Sequence, residues 1–253
     1  MNCLKVLKKS VIDSQLYVSL MGTFFAVFFM REQNTFRFPS VLLIFITFFS
    51  GYLYTKYQNT KHFYKIFILN VIAGIVSAIL IILNHNEIRL IKWFVIVILG
   101  LLYNSFFLEN YIRKIPFLKV FYVGLVWALV NCWLTLPEFN FPIFLISFFF
   151  ITALVLPFDI RDMKSDTIKT FPKLIGVQNT KYLAFFLVFI SCLISTFYLK
   201  TNFSFAFFFT SIITFFLIYY SKNSNKDSYF SFWVESCSGL PVLFLWLINY
   251  FME

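Results

Sequence analysis

Long apolar stretches, separated by short segments that hold most of the charge, dominate this chain. A helix of roughly 20 apolar residues crosses the hydrocarbon of a bilayer, since each residue adds about 1.5 Å to a thickness of about 30 Å. Hydrophobic residues make up 60% of the 253 residues and charged residues only 13%, whereas a soluble domain needs far more polar surface. We therefore expect an all-α, polytopic membrane bundle that forms a single domain over residues 1–253.

The apolar windows predict nine transmembrane helices. They lie near residues 15–30, 38–55, 66–83, 91–108, 117–136, 141–158, 182–199, 204–221 and 230–251. Polar, turn-forming segments such as SKNSNKDS at 221–228 mark the breaks between them. Lysines precede the first apolar stretch as in a signal sequence, but no small-residue cleavage site follows, which predicts an uncleaved first helix.

The distribution of basic residues predicts how the bundle is oriented, because cytoplasmic loops are enriched in Lys and Arg. With the N-terminus inside, the cytoplasmic segments hold 16 of the 21 Lys and Arg residues. The other five, in the outer segments, are Arg31, Arg37, Arg89, Lys92 and Lys200. This predicts a protein of the cytoplasmic (inner) membrane with its N-terminus inside and its C-terminus outside. The net charge of +10 then reflects topology and attraction to anionic lipid, and nucleic acid is not an expected partner.

Three of the eleven acidic residues fall within eight positions, at Asp159, Asp162 and Asp166. On a helix these spacings place all three on one face, where like charges repel unless a cation lies between them. Neighbouring Lys and Arg residues or a magnesium ion could supply that charge; magnesium typically binds one or two carboxylates together with substrate phosphates. An ordinary solvated loop of mixed charge is the alternative. The four cysteines and two histidines are scattered and predict no metal site.

The segment around these aspartates, RDMKSDTIKTFPKLIG, resembles the second aspartate-rich motif of the UbiA superfamily of intramembrane prenyltransferases. The matching residues are Arg161, Asp162, Asp166, Lys169, Thr170 and Gly176. The motif also follows the predicted sixth helix on the cytoplasmic side, as it does in the family. A second segment, LLYNSFFLENYIRKIPFLKVFYVGLVWAL, resembles the family's connection between helices four and five. Its matching residues are Tyr103, Asn104, Arg113, Pro116, Lys119 and Trp127. The resemblance implies the family's nine-helix fold over most of the chain.

The family's first motif, NDxxDxxxD after the second helix, is lost in this chain. The equivalent stretch, SGYLYTKYQNTKHFYK, contains no Asp or Glu, and Thr55, Lys56 and Asn59 stand where the family has Asn, Asp and Asp. In one interpretation Lys56 gives a diphosphate the positive charge that a metal would otherwise bring, from a helix face shared with Tyr52 and Asn59. In another, the site binds isoprenoid diphosphates weakly or not at all. Lys56 alone also fits an ordinary lysine at a helix end.

The resemblance implies transfer of an isoprenyl chain from its diphosphate to an aromatic, quinone-precursor-like acceptor. It implies magnesium, at one site or two, on Asp159, Asp162 and Asp166. The implied catalytic residues are Asp162, Asp166, Lys119 and Arg113, and the implied substrate-binding residues are Lys56, Asn59, Tyr103, Asn104, Arg161 and Lys169. An isoprenyl diphosphate, an aromatic lipid precursor and membrane lipid are the expected partners. The alternative is a catalytically silent relative that binds a polyprenyl lipid or assists a partner enzyme.

Glu235 is the one carboxylate well inside a predicted span. Because an intramembrane acid is costly, it is a functional candidate that either faces the cavity or pairs with a base near the inner surface. A small transporter is a weaker hypothesis: apart from Glu235 the predicted spans lack internal charge, and no pair of broken helices stands out.

Overall fold

The computed structural model describes residues 15–58, 60–84, 86–104, 115, 117–164 and 169–252, which form helices and no strand. The helices are α1 Leu16–Glu32, α2 Phe38–Tyr57, α3 Phe63–Leu83, α4 Glu87–Asn104, α5 Leu118–Leu129, α6 Phe141–Asp162, α7 Phe171–Tyr198, α8 Thr201–Tyr220 and α9 Leu240–Met252. Two π-helical segments follow α5 and precede α9, at Val130–Leu134 and Tyr229–Val234. The predicted all-α class is confirmed.

Five of these helices, α2, α3, α6, α7 and α8, are long and apolar enough to cross a membrane. Two shorter apolar segments, Leu118–Leu134 and Leu240–Phe251, accompany them. The chain is thus a multi-pass membrane protein, while the count of nine spans stays a prediction. Most of α3 is exposed, with its apolar side chains on the surface of the bundle.

The predicted interhelical loop after α6 is partly helical, because α7 begins at Phe171 and not near residue 182. Thr170 precedes the helix and Pro172 lies in its first turn, where the missing proline N–H is not needed. Gly176 interrupts the helix at φ 82° and ψ 159°, a conformation that is essentially restricted to glycine. The glycine of the motif therefore gives α7 its kink.

Phenylalanine rings from three helices fill the centre of the bundle. Phe25 on α1 contacts Phe29 with 4.9 Å between ring centroids and Phe150 on α6 with 5.5 Å. Phe150 in turn lies 5.0 Å from Phe207 on α8. All four side chains are fully buried, so α1 is a central helix of the core. Around it, α6 packs most extensively against α5 and α7.

Three of the basic residues at the predicted outer end bind backbone carbonyl groups. Arg89 Nη2 donates to the Thr135 carbonyl at 3.2 Å, and Lys92 Nζ donates to those of Leu136 at 3.3 Å and Pro137 at 3.0 Å. Lys200 Nζ donates to the Glu32 carbonyl. Because helix ends and the chain just beyond them leave carbonyls without intrahelical partners, these cations supply hydrogen bonds that the backbone at this end of the bundle lacks.

Candidate functional site

The acidic cluster begins with a buried ion pair between α5 and α6. Lys119 Nζ lies 3.0 Å from Asp159 Oδ1. The Asp159 side chain is 2% exposed and that of Lys119 21% exposed. A carboxylate this deeply buried needs a cation beside it. The pair therefore fixes the start of α5 against the end of α6.

A second ion pair, between neighbours, ends α6. Arg161 Nε lies 2.7 Å from Asp162 Oδ1, and Arg161 Nη2 lies 2.9 Å from Oδ2, so the contact is bidentate. The Arg161 guanidinium also lies over two aromatic rings, 5.2 Å from the Phe158 centroid and 5.7 Å from that of Phe230. Both kinds of contact hold its planar head group in one orientation. The Asp162 side chain keeps 31% of its surface exposed, so its carboxylate is accessible to a ligand.

The chain between α8 and α9 supports the same turn. Asn223 Nδ2 donates to the Arg161 carbonyl at 2.7 Å and to the Ile160 carbonyl at 3.3 Å. The end of α6 is thus held by a side chain from a distant part of the sequence.

Aromatic side chains of α2, α4 and α5 contact one another about two helical turns along α5 from Lys119. Trp127 Nε1 donates to Tyr52 Oη at 3.1 Å, with the two rings perpendicular. Tyr103 stacks on Tyr122 with 5.8 Å between centroids. Lys56 follows Tyr52 by one helical turn and therefore lies on the same face of α2.

Glu235 brings a carboxylate to this cluster from the segment that leads into α9. It directly follows the π-helical Tyr229–Val234 and is partly buried. Its neighbour Ser236 shares a hydrogen bond with Tyr17 of α1, at 2.5 Å between oxygens. Phe230, on the same segment, lies under the Arg161 guanidinium with 5.7 Å to its ring centroid. The segment that carries Glu235 is therefore joined to α1 and to the end of α6.

The structure describes about two thirds of the predicted site residues. Asn59, Arg113 and Asp166 lie outside the described residues, as does the side chain of Asn104, which ends α4. Lys169 is exposed just before the N-terminus of α7. The roles predicted for all of these residues stay predictions.

The sequence interpretation missed three contributors to the site, namely Asn223, Phe158 and Phe230. The two phenylalanines carry no signal in a chain with 39 of them. Asn223 lies in the polar break between α8 and α9, where an amide that binds a distant helix end looks like any other loop residue.

Magnesium fits the described carboxylates only as an ion that a ligand helps to hold. The described part of the chain contains no group of three or more His, Cys, Asp or Glu residues able to bind a metal. Lys119 contacts one oxygen of the buried Asp159. Arg161 contacts both oxygens of Asp162, whose side chain nevertheless keeps 31% of its surface exposed. Asp162 therefore fits a magnesium ion bound mainly through phosphate oxygens and water.

Comparison with known proteins gives a match in structure but not in sequence. No protein-family model matches the chain, and no curated protein sequence matches it. A UbiA homologue from Archaeoglobus fulgidus bound to GPP and Mg²⁺ is 13% identical with a TM-score of 0.66, over 96% of this chain and 99% of the other. The same homologue bound to DMAPP and Mg²⁺ is 12% identical with a TM-score of 0.65, over 96% and 98%. The chain thus has the UbiA fold over nearly its whole length.

Proposed function

We propose that this chain, which has the fold of the UbiA homologues, is an integral membrane prenyltransferase that transfers an isoprenyl group from its diphosphate to an aromatic acceptor. The observation that carries the proposal is the Arg161–Asp162 pair at the end of α6, with the Arg161 guanidinium held over the rings of Phe158 and Phe230. Cations bind the diphosphate, and aromatic faces surround the isoprenyl group. The similar Archaeoglobus homologue holds GPP and Mg²⁺ in the same fold.

Arg161 and Lys56 bind the diphosphate oxygens in this mechanism. A guanidinium can donate hydrogen bonds to two phosphate oxygens at once. Phe158 and Phe230 hold the plane of the Arg161 guanidinium in one orientation for this contact. Asp162 and Asp166 would hold magnesium, which would neutralise charge on the leaving diphosphate. Lys119, at the start of α5, and Lys169, just before α7, add positive charge, as the resemblance also implies for Arg113.

The aromatic side chains act on the isoprenyl group itself. As the bond between C1 and the diphosphate oxygen breaks, its electron pair leaves with the diphosphate and C1 becomes an allylic cation. The faces of Tyr52, Tyr103 and Trp127 stabilise this cation and exclude water from it. The acceptor ring then forms the new bond to C1 and loses a proton.

A catalytically silent, lipid-binding relative is the second candidate. It is favoured by the two ion pairs Lys119–Asp159 and Arg161–Asp162, which satisfy those charges within the protein. The lost first motif points the same way, because α2 brings a lysine where the family has carboxylates.

Turnover assays separate the two candidates. Purified protein would be incubated with labelled isoprenyl diphosphates, a panel of aromatic acceptors, and magnesium with or without chelator. We expect a prenylated product that Asp162→Asn reduces by about 10²- to 10³-fold, since the carboxylate acts on the leaving charge. The exposed Glu138→Gln, at the predicted outer end, is the matched control and should leave the rate unchanged.

Two results would contradict the assignment. Full activity of Asp162→Asn would exclude its metal role. Binding of isoprenyl diphosphate without turnover on any acceptor would instead favour the silent relative.

A further inference from the structure

The connection between α8 and α9 forms an open cavity of about 540 Å³ on the surface of the bundle. Two lysines, Lys222 and Lys226, line it together with the polar side chains of Ser224, Asn225 and Ser228. Both lysines are exposed, and their side chains form no ion pair or hydrogen bond within the described part of the chain. The cavity therefore presents two cations that the fold itself does not use.

Hydrogen bonds within the connection fix the shape of this cavity. Asn225 Nδ2 donates to the Tyr220 carbonyl at 2.9 Å, so the chain turns back on the end of α8. The Tyr229 N–H donates to the Lys226 carbonyl at 2.8 Å, and the Tyr229 hydroxyl donates to the Leu217 carbonyl within α8. The cavity is thus preformed, since both of its sides are tied to the same helix.

The cavity opens at the level where a membrane has its lipid head groups. It begins at Tyr220, the last residue of α8, and this helix is long and apolar enough to cross a membrane. Tyr220 and Trp233 line the cavity with 58% and 57% of their surfaces exposed. Exposed Tyr and Trp side chains at the ends of spanning helices are typical of the head-group layer, because one end of each ring system is apolar and the other is polar.

The charge around the cavity favours an anion. None of the described residues that line it is acidic, and the exposed Asp227 lies next to Lys226 in sequence without lining the cavity. Lys181 of α7 brings a third cation to the end of α8, where its Nζ donates to the Tyr219 carbonyl at 2.6 Å. A phosphate group has cationic partners here, whereas the ammonium group of a zwitterionic lipid has no carboxylate in the lining to bind.

We propose that this cavity binds the head group of an anionic phospholipid of the surrounding membrane. Lys222 and Lys226 bind its phosphate, the hydroxyls of Ser224 and Ser228 bind its remaining oxygens, and Trp233 packs beside its glycerol and upper acyl chains. The inference does not depend on the transferase, because none of these residues belongs to the proposed diphosphate site.

The bound lipid also stabilises the end of α6. Asn223 lies in the same connection and donates to the carbonyls of Ile160 and Arg161. A ligand that binds only the folded connection adds to the stability of the folded protein by mass action. Anionic phospholipid should therefore raise the thermal unfolding temperature of the protein in detergent more than zwitterionic lipid does.

Native mass spectrometry of the detergent-solubilised full chain tests the site. The protein would be titrated with phosphatidylglycerol and with phosphatidylcholine of the same acyl chains. We expect phosphatidylglycerol to bind about tenfold more tightly, and Lys222→Gln/Lys226→Gln to weaken its binding by about 10- to 30-fold, since two basic contacts with an anionic lipid are lost. Lys222→Arg/Lys226→Arg keeps both charges and should retain the affinity.

A second pair of lysines provides the matched control. Lys61 and Lys65, around the start of α3, are exposed at the same predicted end of the bundle and lie outside the cavity lining. Lys61→Gln/Lys65→Gln removes the same charge and should leave the affinity for phosphatidylglycerol within about twofold of the wild type. Trp233→Ala should weaken lipid binding by about three- to tenfold through lost apolar contact.

Three results would overturn the proposal. Equal affinity for the two lipids would exclude recognition of the anionic head group. Equal weakening by the two lysine-to-glutamine pairs would show diffuse attraction to a basic surface instead of a site. Glycerol 3-phosphate binding as tightly as phosphatidylglycerol would identify a soluble phosphate compound as the ligand. Thermal unfolding of each variant without added lipid checks that the proteins compared are folded.

Discussion

At the scale of single residues, the Lys119–Asp159 pair shows that side chains predicted to bind substrate or metal also stabilise the fold. Asp159 is almost fully buried, and the cation 40 positions earlier in the chain neutralises it. Removing one partner of such a pair leaves a buried charge without compensation, which costs more than the pair itself contributes.

We therefore expect Lys119→Met and Asp159→Asn each to lower the free energy of unfolding, toward the lower end of about 3–5 kcal/mol because Lys119 keeps some exposure. The double variant Lys119→Met/Asp159→Leu should recover most of the loss, since neither charge is then left buried alone. Denaturant titration in detergent measures all three. A double variant less stable than both single variants would show that the pair is not the cause.

The same double variant tests the roles predicted for Lys119 in phosphate binding and for Asp159 in magnesium binding. If either role holds, a protein with restored stability stays impaired in substrate binding. The sequence could name Lys119 and Asp159, because both are charged residues near a recognisable motif. It could not reveal their contact, since nothing in either local pattern reports a partner on another helix.

At the scale of helices, Gly124 sets how closely α5 approaches α6. A Cβ atom at this position would lie 2.2 Å from Thr152 Oγ1 and 3.0 Å from the Phe148 carbonyl oxygen. The second neighbour is backbone and cannot rotate away. The two helices therefore meet at a contact that only glycine permits, one helical turn from Ala128 and near the hydrogen-bonded Trp127.

Gly124→Ala should destabilise the protein by about 1–3 kcal/mol, because the extra methyl group forces α5 and α6 apart. Thermal unfolding in detergent measures the loss. Gly51→Ala and Gly100→Ala are matched controls, since open space surrounds both positions. Adding Thr152→Ala should recover part of the lost stability. A Gly124→Ala variant as stable as the wild type would mean that α5 and α6 can move apart at no cost in free energy.

Helix bounds were predictable where apolar residues alone define the helix. The window predicted at 38–55 corresponds to the helix Phe38–Tyr57, and the window at 204–221 corresponds to the helix Thr201–Tyr220. The early start of α7 was missed because its first turns carry Lys173, Gln178 and Asn179. Thr170 and Pro172, a typical helix-start pair, were the available signal.

At the scale of the whole molecule, the basic residues at the two predicted ends of the bundle differ in role as well as in number. Arg89, Lys92 and Lys200 at the predicted outer end donate to backbone carbonyls. They are thus required by the fold, and most of the remaining Lys and Arg residues lie at the predicted cytoplasmic end. If the residues that bind these carbonyls are set aside, the excess of Lys and Arg at the predicted cytoplasmic end is larger than the simple count of charges gives.

Accessibility of single cysteines tests that orientation. The four native cysteines would first be replaced by serine or alanine. A membrane-impermeant maleimide should then label Glu138→Cys in intact cells and Lys226→Cys only after permeabilisation, since both positions are exposed at opposite predicted ends. The reverse pattern would place the diphosphate site on the outer surface.

The two π-helical segments have a consequence for tracing the ancestry of this chain. One residue inserted into an α-helix is accommodated as such a turn, which rotates every later side chain by about 100° relative to an uninterrupted helix. A gap-free alignment with relatives that lack these insertions would shift register at Val130–Leu134 and again at Tyr229–Val234. Glu235 would then be matched to a residue one position out of register. Residues equivalent to Glu235 in other lineages are therefore better identified by superposing backbones than by reading a column of a sequence alignment.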